Sequence, residues 1–253
     1  MSHHTKTLCV LQIPGSDVNI LYLSDVYFPR INGVSTSIKT FREKLIEQGH
    51  RVILVTPEYT QPYEDDEDII RIPARTVVFD NEDRLMSLGE VKSLAKKLAT
   101  EKIDLIHIQT PFVAHYAGKY LSQALNIPCI ETYHTFFEEY FYNYIPFLPR
   151  AILRSLARTF SKKQCNAVEH LIVPSSAMKN VLQGYGIDTD MTILPTGINP
   201  SALDSGDGHL FKQRYEIDPE RPILMHVGRI AHEKNIQFLL KMLTFVWQEI
   251  PEV

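Results

Sequence analysis

The sequence predicts a doubly wound α/β protein with a parallel sheet, followed by the beginning of a second α/β unit. Three observations lead there. Short runs rich in Val, Ile and Leu recur, several apolar on both faces, as strands buried in a parallel sheet must be. Helix patterns lie between them. The run 195-PTGINPSALDSGDG-208, rich in Pro, Gly, Ser and Asp, has no apolar period and breaks the alternation.

The strands are expected at 19–24, 51–56, 68–72, 104–108, 127–132, 170–174, 191–195 and 222–228. The helices are expected at 34–48, 87–100, 113–125, 148–167, 175–184 and 233–248, with a helix-like piece at 209–217. The segment 64-EDDEDIIRIPARTVVFDNED-83 reads as a charged loop, a strand and a further loop, its acidic run a solvated turn because like charges repel. The domain reading is 1–200 for a first Rossmann-like domain, and 201–253 for a linker and the start of a second. One strand and one or two helices cannot bury a core alone. That second piece is expected either to pack on the first domain or to belong to a longer protein, the latter being preferred.

The chain has 253 residues, 44% hydrophobic and 22% charged, in the range of a folded globular protein. A formal net charge of -4 gives no general affinity for nucleic acid. Cys9, Cys129 and Cys165 are scattered, without metal-ligand spacing, and read as buried thiols in a reducing compartment. No run reaches the ~18 apolar residues of a membrane span. The first fifteen residues lack a signal-peptide cleavage site and read as a tail or an extra edge strand. A cytoplasmic location is expected.

The stretch 25-DVYFPRINGVSTSI-38 joins a strand to a helix through a loop with one glycine. Ligands of doubly wound sheets sit outside the carboxyl ends of the strands. A helix start offers free N–H groups and the positive end of its dipole to an anion. Gly33 would let the backbone approach phosphate oxygens, or is a plain turn glycine. Asn32 and Arg30 could add donors there; Arg30 could equally be a solvated loop charge. Asp25, at the strand end with Tyr27 close behind, would contact hydroxyls of a ligand or only shape the loop. His134 follows another strand end; a structural histidine is the plain alternative. His134 and Glu138 are four apart, but no third ligand at a convincing spacing supports a metal. Glu138 and Glu139 would bind hydroxyls of a ligand, or form the acidic first turn of a helix. Arg229 and Lys234 flank a helix start, a pair of cations suited to a diphosphate or merely solvated. His107 and His226 lie within strand patterns and read as structural. Arg150, Arg154, Arg158 and Lys162 recur every four residues after a run of aromatics. That stripe suits anionic lipid, or is the polar side of an ordinary surface helix.

Four pieces, 28-FPRINGVSTSI-38, 132-TYHTFFEEY-140, 195-PTGI-198 and 228-GRIAHEKN-235, in this order and at these distances resemble the family-four retaining glycosyltransferases of GT-B fold. The block 131-ETYHTFFEEYFYNYIPFLPR-150 is most similar to the branch that glucosylates diacylglycerol. The resemblance implies two Rossmann-like domains across a cleft, the first for the acceptor and the second for most of the nucleotide sugar. It implies hexose transfer, with retention, from a nucleotide-diphosphate donor, expected to be UDP-linked, to a hydroxyl, expected on a lipid. His134, Arg229 and Lys234 would be catalytic, the two cations stabilising the departing diphosphate. Gly33, Asn32, Arg229 and Lys234 would hold the donor; Asp25, Tyr27, Arg30 and Glu138 the acceptor. No resident cofactor or metal is implied, and no protein nucleophile. A pair of donor-binding glutamates expected further along the second domain is not found, so the chain alone is expected to be inactive. Peripheral attachment to the inner membrane face is the implied location. Two other classes remain: a non-catalytic α/β module for a phosphorylated or lipid ligand, and a nucleotide-dependent oxidoreductase, disfavoured because G-x-G-x-x-G is missing.

Overall fold

In chain order the first elements are β1 (Asn19–Leu23), α1 (Gly33–Glu47), β2 (Arg51–Pro57), β3 (Ile69–Ile72), β4 (Ala74–Val77) and β5 (Asp80–Met86). Next come α2 (Leu88–Ser93), α3 (Ala95–Leu98), β6 (Leu105–Ile108), α4 (Val113–Leu125) and β7 (Cys129–Thr132). The series continues with α5 (Arg150–Cys165), β8 (His170–Val173), α6 (Ser176–Gly184), β9 (Met191–Ile193), α7 (Gly208–Arg214) and α8 (Ile236–Glu249). This computed structural model describes residues 17–77, 80–134, 149–197, 206–228, 230 and 234–253.

Seven strands form one parallel sheet in the order β3-β2-β1-β6-β7-β8-β9. Its strands alternate inward residues between two helical layers. Ile20, Tyr22, Val52 and Leu54 face α1 through Ile38. Leu21, Leu23, Ile53, Val55, Ile106, Ile108, Leu171 and Val173 face the layer of α2 to α6, where they meet Val91, Leu98, Ala117, Leu121, Ala157 and Leu182. Burial on both sides is why these strands lack a polar alternation. Helix α4 comes closest to the sheet at Gly118, where an added Cβ would lie 2.6 Å from Ile108 Cγ1.

Four readings change. Residues 74–86 are not a loop but an antiparallel pair, β4 with β5; the run 80-DNED-83 has low strand propensity and hides it. The helix expected at 87–100 is two, turning at Leu94, whose N–H bonds back to Val91 O at 3.2 Å. The acidic run is not merely solvated. Asp65 holds Arg71, Asp66 holds Arg42 in a fork at 2.6 and 2.7 Å, and Asp68 holds Arg51. Arg42 is buried and also donates to Val52 O, so its charge needs that partner.

The fourth correction concerns 222–228. The chain divides into two compact units, 1–198 and 199–253. Among the described residues of the second unit, 222–228 forms no strand, and Met225 and Val227 are exposed. None of those residues is buried. A lone apolar run without a neighbouring strand has no ladder to satisfy its N–H and C=O groups. His226, read as a strand histidine, is likewise exposed.

Candidate functional site at the sheet switch point

Strands β1 and β6 are neighbours, and the chain winds away from them in opposite directions. That is the switch point of an open α/β sheet, where a crevice forms beyond the carboxyl ends of the strands. Three strand ends converge there: 24–32 after β1, 109–112 after β6, and Tyr133–His134 after β7. Gln109 N–H donates to Leu23 O at 2.8 Å and holds the first two together.

Asp25 is buried in this seam. Its backbone N–H donates to Thr110 Oγ1 at 2.6 Å, and that hydroxyl donates back to Asp25 Oδ2 at 2.7 Å. Both carboxylate oxygens accept from Ala114 N–H, at 3.1 and 3.2 Å. Helix α4 starts at Phe112 without a side-chain cap of its own, and Asp25 supplies one from across the sheet. Burial pushes its carboxyl up to about 6, against the pull of Thr110 and the α4 amides. Thr110 was not legible as a site residue, since its role arises only when β1 and β6 pair.

The loop from Asp25 to Asn32 is braced from the side. Tyr27 is buried, packs edge-on to Phe28, and lies under the Arg71 guanidinium. Burial raises its phenol to about 12. Phe28 stacks on Tyr63, ring centres 5.5 Å apart, with Lys39 over its ring. Arg71 donates to Phe28 O at 2.8 Å and Pro57 O at 2.9 Å, while Asp65 neutralises it. Arg30 is partly buried, its N–H closing a turn onto Tyr27 O.

The loop ends at the start of α1. Asn32 is the N-cap, its Oδ1 accepting Ser35 N–H at 2.8 Å. Gly33 is exposed, does not adopt positive φ, and a Cβ built on it would meet nothing within 4 Å among the described residues. Neither backbone conformation nor packing among the described residues therefore demands glycine there. The first turn of α1 carries no acidic residue, which leaves its dipole end open to an anion.

His134 follows β7 at the same edge of the sheet, partly buried, with Nε2 3.1 Å from Gln109 Oε1. Because that partner is a carbonyl oxygen, Nε2 carries a proton and donates it, so that the neutral ring is the Nε2–H tautomer. Burial holds its pKa down at about 4. Gln109 is 3% exposed and was missed by sequence reasoning. His107 is structural as expected: it is buried, bonds Thr132 Oγ1 at 2.7 Å, and packs edge-on to Tyr22. Burial, and then the nearby His134, hold it down at about 3.

The crevice thus gathers Asp25, Arg30, Asn32, Gly33 and His134 on one sheet edge, with Tyr27 beneath. Glu138 and Arg229 lie outside the described residues. Lys234 is exposed in the second unit, two residues before α8. Arg150, Arg154, Arg158 and Lys162 are exposed along α5, with Arg158 over the Tyr185 ring at 5.1 Å. Ile152 and Leu156 are exposed on the same helix, while Leu153 and Ala157 are buried. Two D-x-D spacings occur, 66–68 and 188–190, and neither enters the crevice. Asp66 and Asp68 hold arginines, and Asp190 precedes β9, at the opposite edge of the sheet. Among the described residues no cluster of three His, Cys, Asp or Glu side chains could hold a metal ion. No described helix is long and apolar enough to cross a membrane.

A parallel α/β sheet with an anion-ready helix start and a histidine at its switch point is the ligand-binding edge of a doubly wound domain. The chain belongs to Glycosyltransferase Family 4, whose model matches residues 31–202. It is 31% identical over 240 residues to an alpha-monoglucosyldiacylglycerol synthase of Streptococcus pneumoniae, covering 91% of this chain and 53% of that protein. It is 28% identical to the enzyme of the same name from Acholeplasma laidlawii, covering 90% and 60%. The chain spans little more than half the length of these relatives. In fold it is similar to sucrose-phosphate synthase from Thermosynechococcus elongatus, with a TM-score of 0.61, 17% identity, and coverage of 89% of this chain and 59% of that one.

Proposed function

We propose that the protein to which this chain belongs transfers a hexose, glucose first, from a UDP-linked donor to the hydroxyl of a diacylglycerol-type lipid, with retained anomeric configuration. The observation that carries this reading is Gly33: a glycine demanded neither by φ nor by packing, exposed at a helix start on the switch-point edge. Such a position suits close approach of a diphosphate. The lipid and the sugar are suggested by the synthases named above.

In this reading the amides at the start of α1 meet the donor diphosphate, with Asn32 shaping their approach. His134, neutral and donating from Nε2, lies beside the transferred sugar and offers polarity without charge. Arg229 and Lys234 supply positive charge to the leaving diphosphate, so the reaction needs no divalent ion. Glu138 and Arg30 address the acceptor. Asp25 acts through the loop it fastens, since its oxygens are engaged by α4 and Thr110. The donor phosphate accepts the proton of the attacking hydroxyl, and no protein nucleophile takes part. Helix α5 lays its basic side on anionic lipid, which places the protein peripherally on the cytoplasmic membrane face.

The test uses the product of the whole reading frame with diacylglycerol in anionic vesicles, a chelator present. UDP-glucose, UDP-galactose and GDP-mannose are offered separately. The expected result is an α-linked glucolipid from UDP-glucose, identified by the anomeric proton coupling. A β-linked product, or tight donor binding with no glycolipid from any donor, would overturn the reading.

A further inference from the structure

Helix α5 touches the site through two buried polar side chains. Ser161 is fully buried, its Oγ 2.9 Å from Tyr133 Oη. Tyr133 is the residue before His134, and its N–H is tied to β8 at Ile172 O. One turn further along α5, Gln164 is 3% exposed and donates from Nε2 to Pro111 O at 2.5 Å. Pro111 lies two residues beyond Gln109, the partner of His134. A helix packs on a sheet adequately with apolar groups alone, and its other inward residues, Leu153, Ala157 and Cys165, do so. Ser161 and Gln164 instead grip the two strand-end segments that carry the two halves of the His134–Gln109 pair. Buried hydrogen bonds of this kind fix one arrangement, because losing a partner leaves the other unsatisfied.

We propose that Ser161 and Gln164 are positioning residues that hold His134 and Gln109 in register with each other, so that α5 sets the geometry of the crevice. The proposal rests on the transferase reading only where turnover is concerned. The hydrogen-bond geometry it predicts can be read without substrate.

The experiment follows the His134 ring nitrogens by long-range proton–nitrogen correlation at pH 7 in this chain, with His134→Gln to assign the signals. Wild type should show one locked Nε2–H tautomer. Ser161→Ala and Tyr133→Phe should each move both nitrogen shifts toward the tautomer average, by the same amount and without adding in the double variant. Gln164→Met should move them further. Leu153→Ala is the control: it destabilises α5 through a cavity, makes no polar contact with either segment, and should leave the shifts in place. In the product of the whole reading frame, Ser161→Ala and Gln164→Met should lower kcat about tenfold with donor KM unchanged. Unmoved nitrogen shifts in all three polar variants would overturn the proposal, as would an equal move in Leu153→Ala. Tyr133→Phe removes a single oxygen and decides the matter should Gln164→Met fail to fold. Moved shifts in a protein that transfers no sugar would sink the transferase reading and leave this one standing.

Discussion

His134 and Gln109 meet across adjacent strands, Nε2 to Oε1 at 3.1 Å, and so place a neutral imidazole at the edge of the sheet where the chain reverses its winding. The pair has consequences for stability as well as chemistry.

The first concerns pH. His134 and His107 have folded pKa values of about 4 and about 3, both depressed below 6.5 by burial. A depressed histidine stabilises the fold above its unfolded pKa, and that contribution is lost as pH falls toward the folded value. Asp25 runs the other way. Its raised value of about 6 favours the fold below an unfolded value near 4, a contribution lost as pH rises through 6. Two histidines outweigh one aspartate. The urea midpoint should fall steadily from pH 7 to pH 4.5, and His134→Gln should flatten that slope. A midpoint constant over this range would contradict the account.

Asp66 gives a second prediction. It neutralises Arg42, whose side chain is 6% exposed while its own is 51% exposed. Asp66→Ala should cost about 2 kcal/mol, because a buried guanidinium loses its partner. Glu64→Ala, in the same turn but exposed, should cost under about 0.5 kcal/mol. Equal effects in chemical denaturation would show that the turn is only a solvated acidic run.

Asp25 gives a third. Asp25→Ala removes the cap that α4 lacks locally, at a cost of about 2 kcal/mol. The amide of Ala114 should lose its protection in hydrogen exchange before those near Leu121. Unchanged protection at Ala114 would mean that α4 is capped by other means.

How much of this could be read in the sequence depends on how local each signal is. The strands β1, β2 and β8 were legible because burial on both faces writes a nearly continuous apolar run. The positions of Gly33 and His134 in the fold were legible because a strand-to-helix loop and a strand end are local features. Gln109, Thr110, Ser161 and Gln164 were not: each gains meaning only through a partner brought up by sheet order, such as Asp25, 85 residues from Thr110. The acidic turn misled because its arginines come from three different elements, α1, β2 and β3. The run 222–228 misled in the opposite sense: its apolar pattern is that of a strand, but pattern cannot supply a neighbour.

Helix α5 supplies the fourth prediction. Arg150→Glu, Arg154→Glu and Arg158→Glu together should abolish sedimentation with vesicles rich in anionic lipid, and weaken it little with neutral ones. Ile152→Ser with Leu156→Ser, both exposed, should by themselves weaken binding by removing the apolar contact. Unchanged binding of the triple variant to anionic vesicles would rule out the basic side of α5 as the lipid contact.

The most direct measurement exploits the vacancy beside Gly33. A Cβ there meets nothing within 4 Å among the described residues and has no forbidden φ to contend with, so Gly33→Val should keep the melting temperature within a few degrees of wild type. If the start of α1 receives the donor diphosphate, the added methyl groups occupy the space its phosphate oxygens need. Transfer of glucose from UDP-glucose to diacylglycerol, measured in the product of the whole reading frame, should then fall by about 100-fold or more. Wild-type transfer by a stably folded Gly33→Val protein would contradict the assignment of this edge as the wall of a sugar-transfer site.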